Sequence, residues 1–183
     1  MTEDTRTARG TLDWQPLEQH PDLVAAPVAQ AEVPGLLVAE IDASLADTAA
    51  FCDAYEVSLA ASANCVVVQA RRGETTTYAA VMVLGTDRAD VNKTVRKHLG
   101  ARKITFADQE HTEQATGMTS GGITPVGLPH GWPILVDQRV AAEPELVIGG
   151  GVRGSKLLVS GQQLAALPGA EVLDLVIPVE PSA

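Results

Sequence analysis

Aromatic residues are scarce in this chain. Two Trp, two Tyr and two Phe make up 3% of its 183 residues. Hydrophobic residues nevertheless reach 45%, so a core of single-domain size must be filled by Val, Leu, Ile and Ala. Cysteine is nearly missing. Cys52 and Cys65 stand too far apart for a C-x-x-C redox or zinc pair, and both read as small core hydrophobes rather than nucleophiles. Long apolar runs are also missing; none approaches the roughly 18 residues of a membrane span. Met1 to Gly10 is polar, with mixed charge and no apolar signal stretch. The expectation is a soluble cytoplasmic protein that does not engage a membrane.

Several chemistries lack their motifs. No G-x-x-x-x-G-K-[ST] is present, and no G-x-G-x-x-G opens a helix, so nucleotide triphosphatases and dinucleotide oxidoreductases are unsupported. The G-x-S-x-G elbow of many serine hydrolases is missing. His20, His98, His111 and His130 include no pair at the i, i+4 spacing of a helical metal site, and H-E-x-x-H does not occur. His98 reads as packing at the edge of an apolar stripe, and His130 as a turn residue for which proton transfer is conceivable.

The net charge of −10 argues at first against a nucleic-acid partner. Its distribution changes that reading. Up to Ala63 there are 11 acids and 2 bases, whereas from Asn64 onward 12 acids meet 11 bases. Acidity belongs to the first third. Between Arg88 and Lys103 stand Arg88, Lys93, Arg96, Lys97, Arg102 and Lys103, opposed only by Asp90. At helical spacing Lys93, Arg96 and Lys97 fall away from the Val91/Val95/Leu99 stripe. Such a helix buries one face and offers cations on the other, as contact with phosphates requires.

The coarse order of elements reads as mixed α/β. Residues 1–35 carry four prolines and little periodicity, an irregular arm with one short helix at most. Residues 36–183 would form the domain. Strands are expected at Leu36–Ile41, Cys65–Gln69, Tyr78–Leu84, Ile104–Phe106, Ile134–Val136, Leu146–Ile148, Lys156–Val159 and Val172–Ile177. Ser44-Leu-Ala-Asp resembles a capping box for a helix containing Leu45, Ala49 and Cys52. Further helices are expected behind Asp90, from Asp108 to a stop at Gly117, and behind Ser160. A hairpin turn falls at Arg71–Thr76. Hairpins among helices favour a mixed, barrel-like sheet ringed by helices.

The most informative stretch runs from Gly117 to Pro133, with five glycines and three prolines in 17 residues. Glycine permits close backbone approach to a ligand, and proline holds a loop still. Loops of this length inside a domain are usually functional or disordered.

The segment from about Val38 to Ile177 resembles the YbaK/prolyl-tRNA-synthetase-associated domain family. The resemblance rests on Ala63-Asn-Cys-Val-Val-Val68, on Asp90-Val-Asn-Lys93 through Leu99-Gly-Ala-Arg-Lys103, and on Thr116-Gly117 followed by Gly121-Gly-Ile-Thr-Pro-Val-Gly-Leu-Pro129. Leu135-Val-Asp137 and Gly151-Val-Arg-Gly154 complete it. It implies a trans-editing hydrolase that deacylates mischarged aminoacyl-tRNA, without metal or other cofactor. A small amino acid such as Ala, Ser, Cys or Pro would be released. Asn64, Gly121, Gly122 and Lys156 would form the catalytic set. Ile123, Thr124, Pro125, Gly127, Asp137, Gly150, Gly151 and Arg153 would bind the substrate. Arg88, Lys93, Arg96 and Lys97 would meet the acceptor end of the tRNA. A synthetase partner and the choice between monomer and homodimer stay open.

Departures from the family pattern shape the expectation. Asn64 stands at the family's characteristic lysine, Gly149-Gly150 where small polar residues are common, and Lys156 where an acid is often found. The cation would then have moved from one wall of the pocket to the other. The rival expectation is a catalytically silent homologue that binds an aminoacyl nucleoside, tRNA or a synthetase.

Overall fold

The computed structural model describes residues 4–177. Its strands fall into two sheets. The first is antiparallel, in the order β1 (Gln15–Pro16), β2 (Leu37–Glu40), β8 (Ser155–Val159) and β7 (Leu146–Gly149). The second is mixed and runs β5 (Lys103–Phe106), β3 (Ala63–Arg72), β4 (Thr75–Leu84), β6 (Ile134–Asp137) and β9 (Ala170–Leu173). The expected mixed α/β architecture is therefore present, with its strands divided between two sheets. A bridge between Ser62 and Val147 links them, and the described strands do not close into a barrel.

The β3–β4 hairpin is the spine of the second sheet, with ten residue pairs from Ala63↔Leu84 to Arg72↔Thr75. Its β-branched run favours extended backbone, and Gly73 turns the chain with φ +62°. Strands β6 and β9 join in parallel. The helices are short: α1 (Ala26–Gln30), α2 (Thr48–Tyr55), α3 (Arg96–His98), α4 (Gln109–Thr116), α5 (Gln138–Ala141) and α6 (Gly161–Ala165). Among the described residues no helix is long and apolar enough to cross a membrane.

Local signals placed several ends well. Asp108 caps α4 by accepting from the His111 N–H, and Gly117 ends it in the left-handed region. Ser160 and Gln163 form a reciprocal capping box on α6. Two expectations move. The helix expected from Ser44 begins at Thr48, because Asp42 turns the chain first by accepting from the Ser44 N–H and hydroxyl. The final strand ends at Leu173 rather than Ile177. The Leu175 N–H donates to Asp137 Oδ1 and its carbonyl accepts from the Asp90 N–H, which takes this segment out of the ladder.

The main core sits between the sheets and includes Val38, Met82, Val136, Ile148 and Leu157. Leu17, Val24, Ala25 and Val28, from the segment before β2, are buried in the same cluster. Val91, Val95 and Leu135 belong to a second cluster on the outer face of the mixed sheet.

Candidate active site

A cleft of about 320 Å³ opens where the two sheets meet. The start of β3 supplies Asn64 and Cys65, the end of β7 supplies Gly149, and β8 supplies Lys156. Gly121 and Ile123 reach it from the glycine-rich loop, and Ala46, Asp47 and Thr48 from the entry to α2.

Close packing shapes this loop. Gly121 has φ +90°, and a Cβ there would lie 2.0 Å from an Arg153 guanidinium nitrogen. A Cβ on Gly122 would lie 2.4 Å from the Val152 carbonyl oxygen, which is backbone and has no rotamer to yield. The Gly122 N–H donates to the Thr119 carbonyl, and its own carbonyl accepts from the Gly151 N–H at 2.7 Å. The N–H bond closes a turn within the loop, while the carbonyl, together with the Thr119 N–H donating to the Gly151 carbonyl, joins the loop to the turn between β7 and β8. Arg153 strengthens the joint, donating to the carbonyls of Ala43 and Ser120. Behind it, the Ala25 N–H donates to the Gly150 carbonyl, and Gly151 lies against Ala25 and Val28.

Lys156 is 7% exposed. Its Nζ donates to the Ala46 carbonyl at 2.9 Å and lies 5.0 Å from the centre of the Phe51 ring. Burial pushes the ammonium below the usual lysine range. An ammonium carries three donors, so the Ala46 bond leaves two beside the cleft. Asn64 Oδ1 accepts from the Thr48 hydroxyl at 2.5 Å, which leaves its amide nitrogen as a donor. Burial pushes the Cys65 thiol up to about 12, so it stays protonated at neutral pH.

The structure brings some expected residues together and leaves others apart. Asn64, Gly121, Ile123 and Lys156 share the cleft, with Gly122, Gly150, Gly151 and Arg153 in the joint behind it. Thr124 is wholly buried, with no hydrogen-bond partner for its hydroxyl among the described residues. Pro125 and Gly127 line a separate groove on the loop's other side, together with His130. Asp137 is buried away from the cleft and accepts from the N–H groups of Leu175 and Arg139. His98 bonds the carboxylate of Glu171 instead of packing in the core.

Lys93, Arg96 and Lys97 are exposed beside Arg72 and Arg102, while Val91 and Val95 are buried. The helix opens with a π turn at Val91–Val95 before α3. Arg88 lies by a different depression, near Phe106 and Ile177. The eight residue steps from Asn64 to Arg72 at ~3.3 Å each put the cationic group roughly 25 Å along the hairpin from the cleft. Among the described residues no three His, Cys, Asp or Glu side chains gather as a metal ion would require.

Asp47 was not legible as a cleft residue. The signal was an Asp directly before a helix-forming run, hidden because Ser44 offered an earlier start.

Comparison with known proteins gives this geometry a family. Residues 42–167 match the model of the aminoacyl-tRNA editing domain. Among solved structures, a candidate trans-editing enzyme for prolyl tRNA synthetase superposes with a TM-score of 0.72 at 23% identity, covering 91% of this chain and 100% of that one. A scaffold protein from epitope backbone grafting by computational design gives 0.72 and 23%, covering 90% and 99%. The hypothetical protein APE2540 gives 0.64 and 23%, covering 72% and 85%.

Proposed function

The chain belongs to the aminoacyl-tRNA editing domain family, and on that premise we propose that it deacylates mischarged tRNA carrying a small amino acid. The supporting observation is the convergence of Lys156, Asn64 and the Gly121–Ile123 loop on one small cleft.

In the proposed reaction water attacks the carbonyl carbon of the aminoacyl ester. The bond from that carbon to the ribose oxygen breaks. The free amino acid leaves, the tRNA hydroxyl is restored and one proton goes to solvent. The Lys156 ammonium and the Asn64 amide nitrogen are donors positioned for the developing oxyanion, a preorganised role whose strength grows in a water-poor site. Lys156 supplies from β8 the charge that Asn64 cannot supply from β3. The loop holds the acyl group against them, and an ester already reactive gains most from being positioned. No metal or cofactor enters this scheme.

The cleft volume suits a side chain the size of Ala, Ser, Cys or Pro. Lys93, Arg96 and Lys97 would hold acceptor-stem phosphates at the far end of the hairpin, so binding should weaken as salt rises. The test is multiple-turnover deacylation of tRNAs charged with these four amino acids. Release of many equivalents of one supports the reading. Stoichiometric protection of the charged tRNA would instead identify a binding protein.

A further inference from the structure

We propose that Asp47 recognises the free α-ammonium group of the aminoacyl substrate and so restricts the cleft to unacylated amino acids. The proposal rests on the deacylase reading for its substrate class.

Three consecutive residues at the entry to α2 carry it. Ala46 gives its carbonyl to Lys156 Nζ, and Thr48 gives its hydroxyl hydrogen to Asn64 Oδ1. Asp47 lies between them and lines the same cleft. Both flanking residues are bound to the polar pair of the cleft, so the backbone of Asp47 is held at its rim.

Its carboxylate is exposed and accepts no hydrogen bond among the described residues. Asp47 is the N-cap of α2, where an Asp ordinarily accepts a helix N–H. Asp42, Asp108, Asp137 and Ser160 all accept such a bond in this protein. Asp47 takes none. Nor does a salt bridge join it to Lys156, and among the described residues none of the four ion pairs includes it. A carboxylate and an ammonium therefore line one cleft of about 320 Å³ with no salt bridge between them.

An aminoacyl ester is complementary to that arrangement. Its carbonyl oxygen, which gains negative charge during attack, sits one carbon from an α-carbon bearing a positive ammonium. With the carbonyl toward Lys156 and Asn64, the ammonium is directed to Asp47, the other charged side chain of the lining. Charge-assisted hydrogen bonds are the stronger class, and an acylated nitrogen offers no charge to recognise.

The test uses binding, so that it reads independently of turnover. The probes are adenosines carrying alanyl, seryl, cysteinyl or prolyl groups through a 3′-amide, each with a free or an N-acetylated amine. The wild type should bind the free-amine form of its preferred probe about tenfold or more tighter than the acetylated form. Asp47→Asn keeps the side chain's shape and should bring that ratio close to one while leaving the acetylated form's affinity unchanged. A variant that keeps the full preference overturns the proposal, as does a wild type with no preference or no binding. Selective binding without hydrolysis of the matching charged tRNA would refute the deacylase reading and leave the role of Asp47 standing. Hydrolysis with undiminished selectivity in Asp47→Asn would do the reverse.

Discussion

The two ends of the β3–β4 hairpin are built on opposite electrostatic plans. At the Asn64 end, one ammonium is buried against a carbonyl and an aromatic ring, with a carboxylate beside it and glycine backbones pressed together. At the Arg72 end, Lys93, Arg96 and Lys97 stand in solvent, and among the described residues Arg96 donates only to backbone carbonyls. The ammonium in the first place is single, shielded from water and geometrically committed. In the second it is multiple, screened and interchangeable. Fixed donors in a water-poor cleft suit the stabilisation of a transition state. Exposed cations suit phosphate capture, in which each contributes modestly and all weaken with salt.

That contrast yields graded outcomes. Lys156→Met should lower kcat for deacylation by about 10² to 10³, the usual cost of removing one oxyanion donor. The melting temperature should not fall in step, because a buried lone ammonium is itself costly. A parallel loss of fold and rate would make Lys156 a structural residue. Gly122→Ala should lower kcat/KM by about 10², since its Cβ meets the Val152 backbone and the loop must shift. A crystal structure of the variant should show that shift. Replacing Lys93, Arg96 and Lys97 together by Gln should raise KM about tenfold at physiological salt, leave kcat alone and flatten the salt dependence. An unchanged salt slope would remove the tRNA role of this face. Asp137→Ala should change the reaction least, because both oxygens serve backbone N–H groups away from the cleft. Its effect belongs in stability, at about 1–3 kcal/mol for the donors left buried, measured by denaturant unfolding with kcat/KM per folded molecule unaltered.

Legibility in the sequence followed the range of the interactions involved. The hairpin at Gly73, the cap at Asp108 and the Ser160–Gln163 box are local, and each could be read from a few neighbouring residues. The glycine-rich loop was legible as a loop of close backbone packing. Its partner was not, because the Gly122–Gly151 joint connects residues far apart in the chain. The same holds for Lys156, whose bond to Ala46 spans 110 residues. Asp137 shows the converse. Its place in a motif suggested substrate contact, whereas the structure gives its oxygens to the α5 cap and the Leu175 amide. A motif marks a residue's position without saying which of its neighbours receives its hydrogen bonds.

The most direct test of the central claim is multiple-turnover deacylation of tRNAs charged with Ala, Ser, Cys and Pro, run with the wild type and Lys156→Met side by side. Release of many equivalents of one amino acid by the wild type, falling about 10² to 10³ in the variant, is the predicted result. Charged tRNA that persists, protected mole for mole by both proteins, would contradict it.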